Sequence, residues 1–482
     1  MELYNNIQSV LSKKGINLVV GNIYDLMDIW KQWYRGSVND FHYYTERVNG
    51  KECKKERLTM NMPKKICEDI SKLLWTEKTR IELSNKQATK RLWEVLDSKE
   101  NSFTVNFPIF LEKGVALGTS ALIEYKDRNK KTIIDYVLGD VVIPYKYTNG
   151  YVYGLITISR FTEEIRKKKI YYTHITYHEY ENGMYRKLNE LYKSANETEL
   201  GKEIDFKEKF PNIKEQEEIP TSTPRFQIFK PNLANNFDID SPMGISVLAN
   251  SIDRFKAIDM KYDSFFREFK LGKKRILVDP TAMKATMQAD TEGNTHLVQY
   301  FDTNDEAYVG INGMEGQPVK EVDFSLRAQE HIDSINQELN WLSSNIGLGN
   351  NFYKFDGTGV KTATEVISEN SEAFRTKEHY DIIVNDVLYD LVKVICEMEG
   401  IKTNKITIIP DDSIIEDKNT EQVRAMQEVT AGLKSKKSYL MDTKGMSEQE
   451  AEEELQRIQD EKMSNAEAFG FNGNTEEEWY KC

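Results

Sequence analysis

Eight residues between Ile245 and Phe269 are spaced 3, 4, 3, 4, 3, 4 and 3 apart: Ile245, Leu248, Ile252, Phe255, Asp259, Tyr262, Phe266 and Phe269. That alternation keeps side chains on one edge of an α-helix, so the segment reads as one long helix with a heptad-like seam, broken by Asp259 alone. A second seam, Ala328, Ile332, Ile335, Leu339, Leu342 and Ile346, is spaced 4, 3, 4, 3 and 4. At 1.5 Å per residue the first rod is about 40 Å long. Each seam side chain stabilises by about 1.5–3 kcal/mol only when something covers it. Either the two helices cover each other in a hairpin, or a second copy covers them. The rule that helix stripes bury inward favours the intrachain core.

The rest of the chain limits what these rods can serve. With 482 residues, two to four domains are expected. The net charge of −13 argues against a protein that grips nucleic acid through overall charge. Residues 447–482 contribute 11 Asp/Glu and three Lys/Arg, so the acidic C-terminal stretch carries most of the imbalance. Aromatics at 11% exclude global disorder. The longest stretch without Asp, Glu, Lys or Arg, Leu339–Tyr353, has 15 residues, too few to span a bilayer needing about 20. MELYNNIQSVLSKKG shows no secretory signal. Cys53, Cys67, Cys396 and Cys482 form no CxxC pair, which predicts a reducing, intracellular setting.

The first hundred residues read as helices. Ile23, Leu26, Met27, Trp30 and Tyr34 recur at helical spacing, with Gly36 as a stop. Pro63 suits the first turn of a helix with Ile66, Ile70, Leu73 and Leu74 on its apolar face, and a third amphipathic stretch surrounds Leu92, Val95 and Leu96. Residues 119–192 predict an antiparallel meander, turning at Asn149-Gly150 and Asn182-Gly183 in type I′ geometry. Residues 197–219, dense in mixed charge, read as a surface insertion or flexible loop. Between the seams, 272–324 reads as a small α/β insert, with RILV, HLVQYFD and AYVGI as strands and TAMKATMQ as a short helix. After the second seam comes a Gly-rich loop, GLGNNFYKFDGTGVK. A capping box at Thr362–Glu365 then starts a helix that can run, with a kink, to Gly400. Its first half is polar, its second apolar (Ile382, Ile383, Val387, Leu388, Leu391, Ile395). A strand at Lys405–Ile409 and helices over about 419–431, 435–442 and 447–463 complete the chain.

No catalytic constellation emerges, and neither cofactor nor metal is called for. Gly357-Thr358-Gly359-Val360-Lys361-Thr362 lacks the Gly directly before Lys, and the leading strand, that a phosphate loop needs. A Mg²⁺ nuclease using Asp411, Glu416 and Lys418 is the alternative from another class. There, acids ahead of a helix already have an ordinary role opposite its dipole. A third option is an intracellular scaffold that does not touch DNA. His174 and His178 lie on one strand face with Tyr172 and Tyr180 and lack a third zinc ligand. Lys270, Lys273, Lys274 and Arg275 fall where the first rod ends; they either complement its C-terminal dipole or meet phosphate or an acidic partner. Arg166–Lys169 reads as a solvated turn.

The order of these parts resembles the portal proteins of tailed bacteriophages, siphophages of Gram-positive hosts in particular. The resemblance runs over about residues 22–463. It rests on Ser241-Pro242-Met243-Gly244-Ile245-Ser246, on LANSIDRFKAIDMKYDSFFREFKLGKKRI, on the Gly-rich loop and KTATEV, and on DDSIIEDKNTEQVRAMQEVTAGLKSKKSYLM with SEQEAEEELQRIQDE. WKQWYRG and RLTMNMPKKICEDISKLL fit as well. It implies an α+β, mainly helical portal fold forming a ring of twelve subunits at one capsid vertex. Residues 1–240 would be the wing, 241–271 and 325–346 the stem helices, 272–324 the clip and 347–360 the tunnel loop. Residues 361–399 would be the long kinked helix and 400–482 the crown. The implied role is a non-enzymatic channel for packaging and ejecting double-stranded DNA, assembled in the host cytoplasm and carried in the virion without contact with a membrane. The implied partners are the chain itself, the large terminase subunit, the head–tail connector, and the major capsid and scaffolding proteins. Asn350, Asn351, Lys354 and Asp356 of the loop would face DNA, with Gly347, Gly349, Gly357 and Gly359 giving it freedom and Phe352, Tyr353 and Phe355 tucked inward. Asp259 would face a subunit boundary or the channel.

Overall fold

The computed structural model describes residues 2–16, 22–48, 50–272, 275–278, 284–289, 295–300, 308–310, 319–322, 325–355, 363–411, 425–444, 446 and 448–468. It divides into two compact units, one of residues 1–360 and 371–411, the other of 361–370 and 412–482.

The first unit opens with α1 (Glu2–Lys13) and α2 (Ile23–Tyr34), which Gly36 terminates at φ +69°. Strands β1 (Tyr43–Val48) and β2 (Lys51–Glu56) form a two-stranded ribbon. Helix α3 (Met62–Leu74) carries Pro63 in its first turn, where a missing N–H costs nothing. After β3 (Arg80–Leu83), α4 (Lys86–Leu96) starts at Asn85, whose Oδ1 accepts the Ala88 N–H at 2.8 Å. Helix α5 (Phe103–Leu117) has no clear polar period in the sequence, because its exposed side carries Val105 and Ile109 as well as Lys113. It is the centre of the core: Phe103 stacks on Phe107 at 4.7 Å, and Trp75 meets both rings edge-on.

The expected meander is two sheets. Strands β4 (Ser120–Lys126) and β5 (Thr132–Leu138) pair with each other, while β6 (Val142–Thr148), β7 (Tyr151–Ile165), β8 (Lys168–Glu181) and β9 (Met184–Ser194) form successive hairpins of a second sheet. Both Asn-Gly turns have positive φ at each position, as type I′ requires, and so does the β7–β8 turn at Arg166 and Lys167. Residues 197–219 are not a loose insertion. They contain β10 (Lys202–Ile204) and the start of β11 (Gln216–Pro220), both paired with β9. Phe206 between them is buried with Tyr172 and Leu191, which ties the charged stretch down. Strand β12 (Phe226–Phe229) returns to pair with β4.

Next, two backbone segments come into close contact. Gly118, at φ +79° after α5, lies so near the 244–246 segment that a Cβ on it would sit 2.3 Å from the Ile245 carbonyl carbon. A Cβ on Gly244 would sit 2.3 Å from the Gly118 oxygen. Thr119 Oγ1 accepts the Gly244 N–H at 3.0 Å, and Val115 O accepts the Val247 N–H at 3.2 Å. This contact changes the first rod. Ile245 and Leu248 lie outside any α-helix; Ile245 packs on Met27 and Trp30 of α2. Helix α6 runs only over Ile252–Leu271, 20 residues or about 30 Å.

The insert is all strand among its described residues: β13 (Arg275–Val278), β14 (Lys284–Ala289), β15 (Thr295–Tyr300), β16 (Tyr308–Gly310) and β17 (Val319–Val322). Where a helix is expected at TAMKATMQ, the described residues 284–288 belong to β14, because pairing with the β-prone β15 overrides the helical leaning of Ala, Met and Lys; residues 281–283 lie outside the described residues. Helix α7 (Ala328–Asn345) follows, then α8 (Ala363–Glu399), which belongs to the first unit from Ser371 onward and meets Gly400 at φ +63°. Val387, Leu388, Leu391 and Ile395 are buried as expected, whereas Ile382 is exposed. Strand β18 (Ile406–Ile409) pairs with β3. Thr362, which opens the predicted capping box, lies outside the described residues.

In the second unit, helical residues 425–430 precede Gly432 at φ +74°. Helices Lys436–Lys444 and Glu448–Ala468 pack together, with an ion pair between Lys437 and Glu452.

Candidate functional site

Helices α6 and α7 form an antiparallel pair held by polar rungs as well as by the seam. Near one end Arg254 and Lys261 both reach Glu338, at 3.3 and 2.9 Å, and near the other Arg327 reaches Glu268 at 2.9 Å. Glu338 is buried. Arg327 and His331 hold the Glu268 carboxyl down at about 2, the Arg327 hydrogen bonds contributing most. On α7 the seam is where the spacing put it: Ile335, Leu339 and Leu342 are buried and Ile332 half-buried.

The α6 seam departs from the expected one. Its buried stripe is Phe255, Ile258, Asp259 and Asp263, flanked by half-buried Ile252, Tyr262 and Phe265. Phe266 and Phe269 are 46% and 44% exposed. A helix of 3.6 residues per turn drifts about 20° per heptad from a 3.5 repeat, so the end of the seam rotates away from α7. Met260, Leu271 and Leu326 are exposed as well. Tyr262 packs edge-on against Phe266 and Phe355.

Asp259 faces neither water nor a channel within this chain. Its Oδ1 accepts the Met60 N–H at 2.8 Å and its Oδ2 lies 3.1 Å from His42 Nε2. Burial lifts its carboxyl above the usual Asp range, and the hydrogen bonds oppose that only in part. The partners lie some 200 residues earlier in the chain, which is why spacing within the helix did not reveal them.

The loop after α7 is pinned down over Gly347–Phe355. Gly347 and Gly349 adopt φ of +78° and +86°, turning the chain back along α7. Thr376 Oγ1 donates to Gly347 O at 2.5 Å. Asn340 Oδ1 accepts the Asn351 N–H at 3.0 Å, Ser343 Oγ the Tyr353 N–H at 3.3 Å, and Asn336 Oδ1 the Phe355 N–H at 2.7 Å. Tyr353 is buried and donates to Asp69 of α3 at 2.9 Å. Phe352 and Phe355 are half-buried, while Asn350 and Lys354 are exposed and Asn351 is intermediate. Asp356, Gly357 and Gly359 lie outside the described residues, as do Lys273 and Lys274 and the side chain of Arg275; Lys270 is exposed in the last turn of α6.

The other candidates have structural occupations. Asp411 accepts from Thr76 Oγ1 at 2.8 Å and lies 4.0 Å from Lys78; Glu416 and Lys418 lie outside the described residues. His174 bonds Asn189 at 3.0 Å and His178 bonds Tyr185 at 2.7 Å, and burial lowers the pKa of both imidazoles. Among the described residues no group of three His, Cys, Asp or Glu side chains could hold a metal ion, and no helix is long and apolar enough to cross a membrane.

No curated protein matches the chain. Among solved structures, it is similar to a chain of the virion of a native gene transfer agent particle (10% identity, TM-score 0.34, 80% of this chain and 88% of that one). Two neck structures are also similar. One is of the empty particle, computed with C6 symmetry (10%, 0.36, 78% and 87%), and the other of the native particle, computed with C12 symmetry (9%, 0.35, 79% and 87%). The family model described as phage portal protein, SPP1 Gp6-like, matches residues 22–468, which takes in the α6–α7 pair, the pinned loop and most of the α+β body. The chain therefore belongs to the SPP1 Gp6-like family of phage portal proteins.

Proposed function

We propose that the chain is the subunit of a homo-oligomeric, non-enzymatic ring of twelve copies at one vertex of a siphophage capsid. The ring forms the channel through which double-stranded DNA is packaged and ejected. Family membership supports the general role, and one observation carries the ring. The aromatic edge at the far end of α6, Phe266 and Phe269 with Leu271 and Leu326, stays wet in a single chain. An apolar edge on one side of a helix pair calls for a partner surface on the next copy, and repeating a head-to-tail contact closes a ring.

In this reading residues 1–240 form the wing, 241–271 and 325–346 the stem, 272–324 the clip, 347–360 the tunnel loop, 361–399 the long helix and 400–482 the crown. The clip docks the large terminase subunit and the head–tail connector, and capsid and scaffolding proteins meet the outside. The net charge supports a conduit over a clamp. DNA carries one phosphate charge per about 1.7 Å, and a Lys-lined tube would hold it by counterion release. Charges more than about 8 Å away are screened at physiological salt, so contact with DNA is a local matter for Asn350, Asn351 and Lys354.

Native mass spectrometry and electron microscopy of the purified protein test this. Rings of about twelve subunits, with an axial opening wider than a duplex of roughly 20 Å, are expected. A monomer, or rings too narrow for a duplex, would refute it.

A further inference from the structure

We propose that Asn336, Asn340 and Ser343 act as positioning residues for DNA contact, clamping the loop to α7 so that Lys354 is presented at one fixed height along the channel wall. The inference rests on the channel reading above. The three residues stand at i, i+4 and i+7, a single helix face, and each offers a side-chain oxygen to a backbone N–H of the loop. The N–H groups they take are those of Asn351, Tyr353 and Phe355, alternate residues of a bent loop that begins at the left-handed Asn351 (φ +64°), while Lys354, between the last two, is exposed. From Ser343 back to Asn336 is about 10 Å along the helix, so the loop doubles back beside α7. Phe355 lands 5.7 Å from Phe265 and 6.2 Å from Tyr262, in the aromatic part of α6. Ser343 is itself fixed, since its hydroxyl donates to Leu339 O at 2.7 Å. A backbone held at three points by acceptors on a rigid helix has one register, and a slip of one residue would exchange Lys354 for an aromatic neighbour.

The full-length oligomer tests this with two double variants. Asn336→Leu/Asn340→Leu removes two acceptors; Asn336→Asp/Asn340→Asp keeps an oxygen at each position. In assembled rings the leucine variant should exchange backbone hydrogens over 351–355 about five- to tenfold faster, and the aspartate variant should stay near wild type. A photoactivatable benzophenone residue in place of Lys354 should crosslink packaged DNA with several-fold lower yield in the leucine background and normal yield in the aspartate one. Unchanged exchange in the leucine variant would overturn the clamp. Faster exchange with undiminished crosslinking would overturn its role in positioning. Filled heads in which the probe never reaches DNA, even in otherwise wild-type rings, would overturn the placement of Lys354 on the channel wall while leaving the channel itself standing.

Discussion

His42 and Asp259, 217 positions apart in the sequence, share a 3.1 Å hydrogen bond in the interior, where both are 2% exposed. The Val38 N–H occupies His42 Nδ1 at 2.9 Å, so the ring proton sits on Nε2 and is donated to the Asp259 carboxylate. With Met60 also donating, the pair ties the 38–60 segment, ribbon included, to the middle of α6.

Replacing Asp259 by Leu should orphan two buried donors, each at a cost of about 1–3 kcal/mol. Asp259→Asn, which keeps an oxygen for Met60, should cost less. Chemical denaturation of the two variants checks the order; a leucine variant as stable as wild type would mean that the pair does not hold the segment.

Glu124, on β4, is 1% exposed, and neither of its oxygens meets a donor in good hydrogen-bond geometry among the described residues. Burial pushes its carboxyl up to about 8; Gln227 and Arg225, close by, ease this only in part. A raised carboxyl pKa means that the folded state keeps its proton while the unfolded state has lost it. This contribution to stability is therefore full below about 4.5 and declines as pH rises toward 8. Glu124→Gln should leave the melting temperature at pH 5 nearly unchanged and raise it at pH 8.5, by an amount worth a few kcal/mol at most, since each tenfold change in proton affinity is worth about 1.4 kcal/mol. Equal effects at both pH values would count against a protonated Glu124.

Phe266→Ser combined with Phe269→Ser removes apolar surface that this chain leaves exposed. The monomer should stay folded, with circular dichroism unchanged, while native mass spectrometry shows rings lost or weakened. Wild-type rings in the double variant would place the subunit contact elsewhere.

Lys354→Glu should leave ring assembly intact, because the side chain is exposed and the loop is held through its backbone. Packaging or retention of DNA should change, and a DNA-protection assay on filled heads measures it. Loss of assembly would make the loop structural.

Periodicity disclosed α2, α3, α4 and the α7 seam because each has one wet and one dry face. It could not disclose α5, whose wet side carries the apolar Val105 and Ile109, nor the true start of α6, where Ile245 matches the spacing but is claimed by α2. Strand β14 went the same way: its Ala and Met lean helical until β15 pairs with it. In the candidate site, the family resemblance implied inward aromatics in the loop, and Tyr353 is buried while Lys354 is exposed. The side chains that pin the loop were not legible, since an Asn on a half-buried helix face looks like any solvated Asn until its backbone partner is placed beside it. His42 and Glu338 were hidden for the same reason: their partners lie far away in sequence.

The backbone crossing at Gly118 and Gly244 leaves no hinge at the top of α6. The segment just before α6 is pressed onto the end of α5 and bonded to Val115 and Thr119, so it is tied to the helix that carries the Phe103–Phe107–Phe110 stack. Any side chain at either glycine would wedge that joint open and loosen the tie.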